Sequence, residues 1–139
     1  MAKHIGIIAV SFEGAALCYR TILKEAMATM GGFDHPEVTM HNYSLKRYMD
    51  CIEKADWKGV AALMISSAEK LAAAGADFAV CPDNTVHMAF EKAAKESPIP
   101  LLSIVQIVAK ECQAKGYIGR ESHRMCSIRR SSNWLSVNL

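Results

Sequence analysis

Long hydrophobic runs, a large excess of one charge and paired cysteine motifs are all missing from this sequence. The apolar stretch from Ile5 to Val10 is followed at once by Ser11, so it is too short for a signal peptide or a membrane span. The formal net charge is only +2, which does not indicate a nucleic-acid surface. We therefore expect a cytoplasmic protein that binds neither nucleic acid nor a membrane.

The cysteines form no pattern typical of disulfide frameworks or metal sites. Their number is odd, no two are close enough for a Cys-x-x-Cys pair, and no His or Cys spacing suggests a metal ligand set. Reduced cysteines are typical of intracellular proteins. The five are Cys18, Cys51, Cys81, Cys112 and Cys126. We expect no metal site and no disulfide.

The composition is typical of a globular protein, with 51% hydrophobic and 22% charged residues. The chain is long enough for one domain. Strand-like and helix-like segments alternate through the first 116 residues, which predicts βαβ crossovers. The predicted strands are Ile5–Val10, Glu37–Asn42, Asp77–Cys81 and Leu101–Ile104. The predicted helices are Gly14–Met30, Leu45–Glu53, Trp57–Ala74, Thr85–Glu96 and Gln106–Lys115. The fold class is α/β, with a parallel four-stranded sheet and flanking helices.

The composition changes near residue 117. Residues 117–139 contain no alanine, against twenty in residues 1–116, and they hold four arginines and five serines. Their formal charge is +3, whereas residues 1–116 carry −1. We interpret 1–116 as one α/β domain and 117–139 as an atypical basic, Ser/Arg-rich tail. Three interpretations stay open for the tail: a basic arm for an anionic partner, a disordered extension, or translation out of frame.

The most informative stretch is the polar cluster that follows the third predicted strand, Cys81-Pro82-Asp83-Asn84-Thr85-Val86-His87. In open α/β sheets, ligands bind beyond the carboxyl ends of the strands, where backbone N–H groups attract anions. Asn84 and Thr85 offer side-chain donors to a small carboxylate. Cys81, Asp83 and His87 could each handle a proton.

Two motifs make residues 1–116 similar to the N-terminal half of the aspartate/glutamate racemase family. The first is Ile5-Gly6-Ile7-Ile8 followed by Ser11-x-Glu13 and Tyr19-Arg20, and the second is Pro82-x-Asn84-Thr85-x-His87. The resemblance implies half of a two-domain fold and removal of the α-proton of an amino acid without a cofactor. It also implies two opposed bases, which in the family are cysteines, one from each half.

The resemblance further implies individual roles. Ser11 and Glu13 would lie in the substrate loop, Asn84 and Thr85 would bind the α-carboxylate, and Arg47 would clamp a second anion. His87 would lie beside the same turn. The alternatives remain open: Asp83 and Asn84 are good helix N-caps anywhere, and Arg47 could be a solvated helix charge. His87 could equally be a structural histidine.

The sequence departs from the family pattern at the base. The family cysteine directly precedes Asn-Thr, and this chain has Asp83 there, with Cys81 two positions earlier. Residues two apart on a strand point the same way, so Cys81 would lie about 6–7 Å deeper along the strand. We favour Asp83 over Cys81 as the catalytic residue, and Cys81 is then an inert buried thiol.

The second half of the family fold has no counterpart in these 139 residues. We therefore expect an amino-acid racemase acting on an acidic amino acid or a similar small carboxylate, impaired because the opposite base is missing. The alternative is a non-catalytic, truncated half-domain that binds a small carboxylate or nothing. Because the family's halves cover each other, we also expect an exposed apolar face and a homo-oligomer.

Overall fold

A computed structural model describes residues 3–116 and contains the predicted α/β sheet. All four strands are parallel, and their order across the sheet is β2-β1-β3-β4. They span Ile5–Ala9 (β1), Val38–Asn42 (β2), Phe78–Val80 (β3) and Leu101–Leu102 (β4). The predicted fold class is confirmed.

Helices follow each strand. They are α1 (Phe12–Met30), α2 (Leu45–Glu53), α3 (Trp57–Ala73), a 3-10 helix (Thr85–Ala89), α4 (Phe90–Glu96) and α5 (Ile104–Ala114). Most of α5 belongs to a second unit that begins at Gln106. Within residues 3–116, no helix is long and apolar enough to cross a membrane.

Local signals in the sequence explain where the helices begin and end. The Asp56 side chain accepts a hydrogen bond from the Gly59 backbone N–H at 2.9 Å, which caps the start of α3. After α3 the chain turns at Gly75, whose φ of +93° lies in the region that glycine adopts without strain. The same kind of stop follows α1 at Gly31, whose N–H donates to the carbonyl of Met27.

The central strand β1 is buried on both faces. On one face Ile7 and Ala9 pack with Ala15 of α1, and on the other Ile8 and Val10 belong to the larger core beneath α3. Successive strand residues point to opposite faces, so an unbroken apolar run is what such a strand requires. This is why the first strand could be predicted from its sequence.

The bounds of most elements differ from the predicted ones by one or two residues, and two differences change the type of structure after residue 84. The helix predicted over 85–96 begins as a 3-10 helix, because His87 N donates to the carbonyl of Asn84, three residues back, and tightens the turn. The fourth strand was predicted to reach Ile104 but ends at Leu102, and Ile104 starts α5. The interpretation of residues 117–139 lies outside the described residues.

The start of α1 lies against the loop that follows β3. A Cβ atom on Gly14 would be 2.6 Å from the carbonyl oxygen of Pro82 and 3.1 Å from Ser11 Oγ. Real Cβ atoms do not approach a backbone oxygen this closely, so only glycine permits the contact.

Tyr48 of α2 is fully buried, yet its hydroxyl has no hydrogen-bond partner in the described part of the chain. Burial raises its pKa from 10.0 to about 12, although the nearby Ser67 side chain opposes part of this effect. The hydroxyl therefore lies near Ser67 without a well-formed bond to it.

We expect Gly14→Ala to destabilise the protein by about 1–3 kcal/mol, because the new methyl group clashes with the Pro82 carbonyl. The direction of the stability change tests the contact, since a Gly→Ala change at a helix position without such a clash stabilises a protein by roughly 0.5–1 kcal/mol. Urea unfolding measures the difference. An increase in stability would contradict the contact.

We expect the stability of the protein to fall as the pH rises above 10, because the unfolded state loses the Tyr48 proton there and the folded state keeps it. The loss attributable to Tyr48 should reach about 1 kcal/mol by pH 11. The Tyr48→Phe substitution, which keeps the ring but removes the hydroxyl, should abolish this part of the pH-dependent loss of unfolding free energy. Equal slopes of unfolding free energy against pH for both proteins would contradict the assigned pKa.

Candidate functional site

The sheet order brings three polar loops to one edge. The strand β1 lies between β2 and β3, so the segments that follow these three strands leave the sheet as neighbours. The Asn42 amide donates to the carbonyl of Ala9 at 2.9 Å and ties the ends of β2 and β1 together. The Gly14–Pro82 contact joins the loops after β1 and β3 in the same way. Parallel sheets bind ligands at this edge.

Ser11 stands at the N-cap position of α1, yet its side chain makes no capping hydrogen bond. A serine at this position normally accepts a bond from the second or third N–H of the helix. Its hydroxyl, partly buried beside Gly14, is free of partners within residues 3–116. Glu13 is exposed in the first turn of α1, where its negative charge interacts favourably with the positive end of the helix dipole.

Asn84 and Thr85 are exposed at the start of the 3-10 helix. Asn84 occupies the N-cap position without a side-chain cap, so its amide is available. The backbone N–H of Thr85 is satisfied instead by Asp83 Oδ1, at 3.0 Å. The capping interpretation therefore holds for Asp83 and not for Asn84.

Cys81 and Asp83 lie in different environments. Cys81 is 1% exposed, and burial, together with the negative charge of Asp83, raises the pKa of its thiol well above the ordinary 9.0. The thiol stays protonated at neutral pH and cannot act as a base there. Asp83 is partly exposed, and only its Oδ1 is engaged by the Thr85 N–H.

The His87 side chain is bonded to the backbone of the turn that contains Asp83. Its Nδ1 lies 2.7 Å from the carbonyl oxygen of Asp83, and its ring stacks on Phe90 with centroids 4.8 Å apart. Nδ1 therefore carries the proton and donates it to this bond. The opposite nitrogen, Nε2, is buried without a hydrogen-bond partner in the described region. His87 thus fixes the backbone of the turn rather than pointing at an open surface.

Arg47 lies in a different place. Its guanidinium carbon is 4.2 Å from the centre of the Tyr43 ring, and the side chain lines a groove between α2 and α3. The structure thus places Ser11 beside the loop that contains Asp83. Arg47 lies elsewhere, against the ring of Tyr43.

Gly14 and Tyr48 contribute to the site and were not singled out in the sequence. The glycine sets the approach of the two loops, and the buried tyrosine hydroxyl is close enough to Asp83 for the charge of that carboxylate to raise the tyrosine pKa. Gly14 follows Ser11-x-Glu13 directly, which was an available signal. Nothing in the sequence distinguishes Tyr48 from an ordinary core residue.

Chemically, the edge offers neutral side-chain donors that have no hydrogen-bond partner within residues 3–116, together with the carboxylate of Asp83. The hydroxyl of Ser11, the amide of Asn84 and the hydroxyl of Thr85 can bind an anion, while the free oxygen of Asp83 can accept a proton. Among residues 3–116, no group of three or more His, Cys, Asp or Glu side chains could hold a metal ion.

The Asp/Glu/Hydantoin racemase family model matches residues 5–131. A Yersinia pestis protein assigned as an Asp/Glu racemase has a similar structure, with 27% identity and a TM-score of 0.77. An aspartate racemase homologue from Pyrococcus horikoshii is 28% identical, with a TM-score of 0.70. Each comparison covers 82% of this chain and 50% of the other.

The chain therefore spans about half the length of the solved structures that it matches. The part that it does span has a similar fold, with TM-scores of 0.77 and 0.70. The family match covers most of the 139 residues, and the chain accordingly belongs to the Asp/Glu/hydantoin racemase family.

Proposed function

We propose that this chain forms one half-site of an amino-acid racemase, which binds the α-carboxylate of an acidic amino acid and exchanges its α-proton without a cofactor. One observation carries the proposal. Ser11 and Asn84 stand at N-cap positions, but neither makes the capping bond that would explain its presence. Polar groups left free at the carboxyl edge of a parallel sheet are suited to a ligand.

The proposed carboxylate lies between Ser11 on one side and Asn84 and Thr85 on the other. The Gly14–Pro82 contact supports this arrangement, because it holds the two loops in direct apposition. Each donor to the charged carboxylate contributes more than a neutral hydrogen bond does. The family description and the names of the relatives support an aspartate- or glutamate-like substrate.

Asp83 is the proposed base. Its free carboxylate oxygen takes the α-proton, and the electron pair of the broken C–H bond remains on the α-carbon, delocalised toward the bound carboxylate. Oδ1 keeps its bond from Thr85 N–H, so the side chain is held in one orientation. Cys81 is not part of this step because its thiol is buried and protonated.

Racemisation requires a second base on the opposite face, and we propose that another polypeptide half supplies it. Apolar side chains are exposed beside the polar edge: Phe12 next to Ser11 is 69% exposed, and Met88 next to His87 is 53% exposed. Such groups favour a covered surface in the working enzyme. A second copy of this chain is the simplest candidate to cover this surface, which makes the protein a homo-oligomer. The opposite base is proposed to belong to the other half of the family fold and not to that copy. The free cysteines among residues 3–116 are consistent with a cytoplasmic location.

A second candidate is carboxylate binding without turnover. It is favoured by the bond that engages Asp83 Oδ1 and by the substitution of aspartate for the cysteine that the family uses at this position. A carboxylate beside a bound carboxylate tends to protonate, which removes its basicity. Binding and exchange experiments separate the two candidates.

We expect Asn84→Ala and Thr85→Ala each to weaken the binding of L-aspartate by roughly 1–3 kcal/mol, because each removes a donor to a charged group. Calorimetry of the 139-residue chain measures the change. Thr21→Ala is the matched control, since Thr21 is exposed on α1 away from this edge. Absence of any aspartate binding by the unmodified chain would remove the basis of the proposed function.

We expect the chain to exchange the α-hydrogen of aspartate with deuterated solvent slowly and with retention of configuration, because one half-site provides one base. Asp83→Asn should abolish the exchange while it preserves the acceptor for Thr85 N–H. Cys81→Ser should retain it. Nuclear magnetic resonance of the substrate in heavy water reports both rate and configuration.

Two outcomes of the exchange experiment decide between the candidates. Binding without exchange would support the non-catalytic half-domain. Production of the opposite enantiomer by the 139-residue chain would contradict the one-base argument and would indicate that a second copy completes the site.

A further inference from the structure

A groove of about 390 Å³ lies between α2 and α3, outside the polar edge described above. Its walls include Ala62 and Leu63, with Cys51 and Ser66 beside them and Arg47 at one end. None of the lining residues belongs to the turns that follow β1 and β3. The groove therefore has an apolar wall and a cationic end.

Two cations meet at a single tyrosine beside this groove. The guanidinium of Arg47 lies over the Tyr43 ring, 4.2 Å from its centre. The ammonium of Lys70 is 2.6 Å from the Tyr43 hydroxyl and 5.0 Å from the ring centre, so it lies at the hydroxyl edge. Both positive charges are thus within 5.0 Å of one ring centre.

Neither cation is neutralised by a carboxylate in the described part of the chain. The ion pairs there involve other lysines or His4, and the acidic residue in the groove, Asp50, is already paired with Lys46 at 2.7 Å. Two like charges held close together repel each other unless an anion lies between or beside them.

The cluster is fixed rather than loosely solvated. Ser66 Oγ is 2.9 Å from the Tyr43 hydroxyl and accepts from Lys70 at 3.1 Å, one helical turn away. The ring of His41 packs edge-on against Tyr43, with centroids 4.6 Å apart, and His41 Nδ1 is bonded to Ser67. Preorganised donors of this kind bind anions at a smaller entropic cost.

The same cations favour negative charge on Tyr43 itself. Hydrogen bonds from Lys70 and Ser66 lower the pKa of the Tyr43 phenol, and the charges of Lys70 and Arg47 act in the same direction. The local field therefore attracts an anion.

We propose that the α2–α3 groove is a second ligand site, which binds a small carboxylate with a short apolar tail. The carboxylate is held by Arg47 and Lys70, and the tail lies along Ala62 and Leu63. A guanidinium forks onto a carboxylate, while an ammonium adds a point charge, so the pair suits a carboxylate head. This site does not depend on the racemase half-site, because its residues belong to α2 and α3 and not to the loops that follow β1 and β3.

The test is a titration of the uniformly ¹⁵N-labelled 139-residue chain with pentanoate, followed by amide chemical shifts. Saturable shifts are expected at Ala62, Leu63 and Ser66. Pentanamide, which has the same tail without the charge, should bind at least about tenfold more weakly, since each tenfold corresponds to about 1.4 kcal/mol. Equal binding of pentanamide would overturn the role of the cations.

Two variants identify the cations. Lys70→Met and Arg47→Met should each weaken pentanoate binding at least about tenfold, and Lys92→Met on α4 should leave it unchanged. Lys70, Arg47 and Lys92 are all mainly exposed or paired only within their own helix, so folding should survive. Unchanged binding in both Lys70→Met and Arg47→Met would overturn the proposal.

The Asn84→Ala variant distinguishes pentanoate binding in the groove from pentanoate binding at the proposed half-site. Groove shifts that persist in Asn84→Ala support a second site. Their disappearance in that variant would mean that pentanoate occupies the edge of the sheet instead, and the proposal would be wrong even where aspartate binding by the half-site stands.

Discussion

The pairing of β1 with a strand on each side is the constraint on which the rest of the structure depends. Its backbone is bonded to β2 and to β3, and Ile7 and Ile8 are fully buried on its two faces. A strand in this position fixes where both neighbouring loops emerge. The close approach at Gly14 then removes the remaining freedom between the loops after β1 and β3. The position of the proposed half-site thus follows from the sheet order and from the absence of a side chain at Gly14.

The strands and long helices could be predicted because burial imposes a periodic pattern on their sequences. The unbroken apolar run of β1 and the bounds of α2 are examples, and the latter agree with the structure residue for residue. The 3-10 turn over 85–89 could not be predicted in this way. It is set by single hydrogen bonds at Asp83 and His87, and such bonds leave no periodic trace.

The types of residue in the candidate site could be predicted from the sequence, but their hydrogen bonds and positions could be predicted only in part. Asp83 and Asn84 are equally good capping residues in a sequence, and only coordinates distinguish the one that caps from the one that does not. For Arg47 the family resemblance predicts a clamp on a second anion, but the direction of a long side chain depends on the partner that it meets. The ring of Tyr43 supplies that partner, and its effect arises from tertiary packing rather than from spacing.

The contrast between Cys81 and Asp83 shows how two positions along the chain, just after the end of β3, change the environment of an acid–base group. A thiol needs an exposed, electropositive position to ionise near neutral pH, and Cys81 is instead buried next to a carboxylate. The residue at the mouth of the turn, Asp83, is instead a partly exposed carboxyl group with one oxygen free of hydrogen bonds in the described part of the chain. Any proton transfer at this turn therefore belongs to the carboxylate. Carboxylates are in general weaker bases than thiolates, so the proposed reaction depends more strongly on the donors that stabilise the developing charge of the substrate.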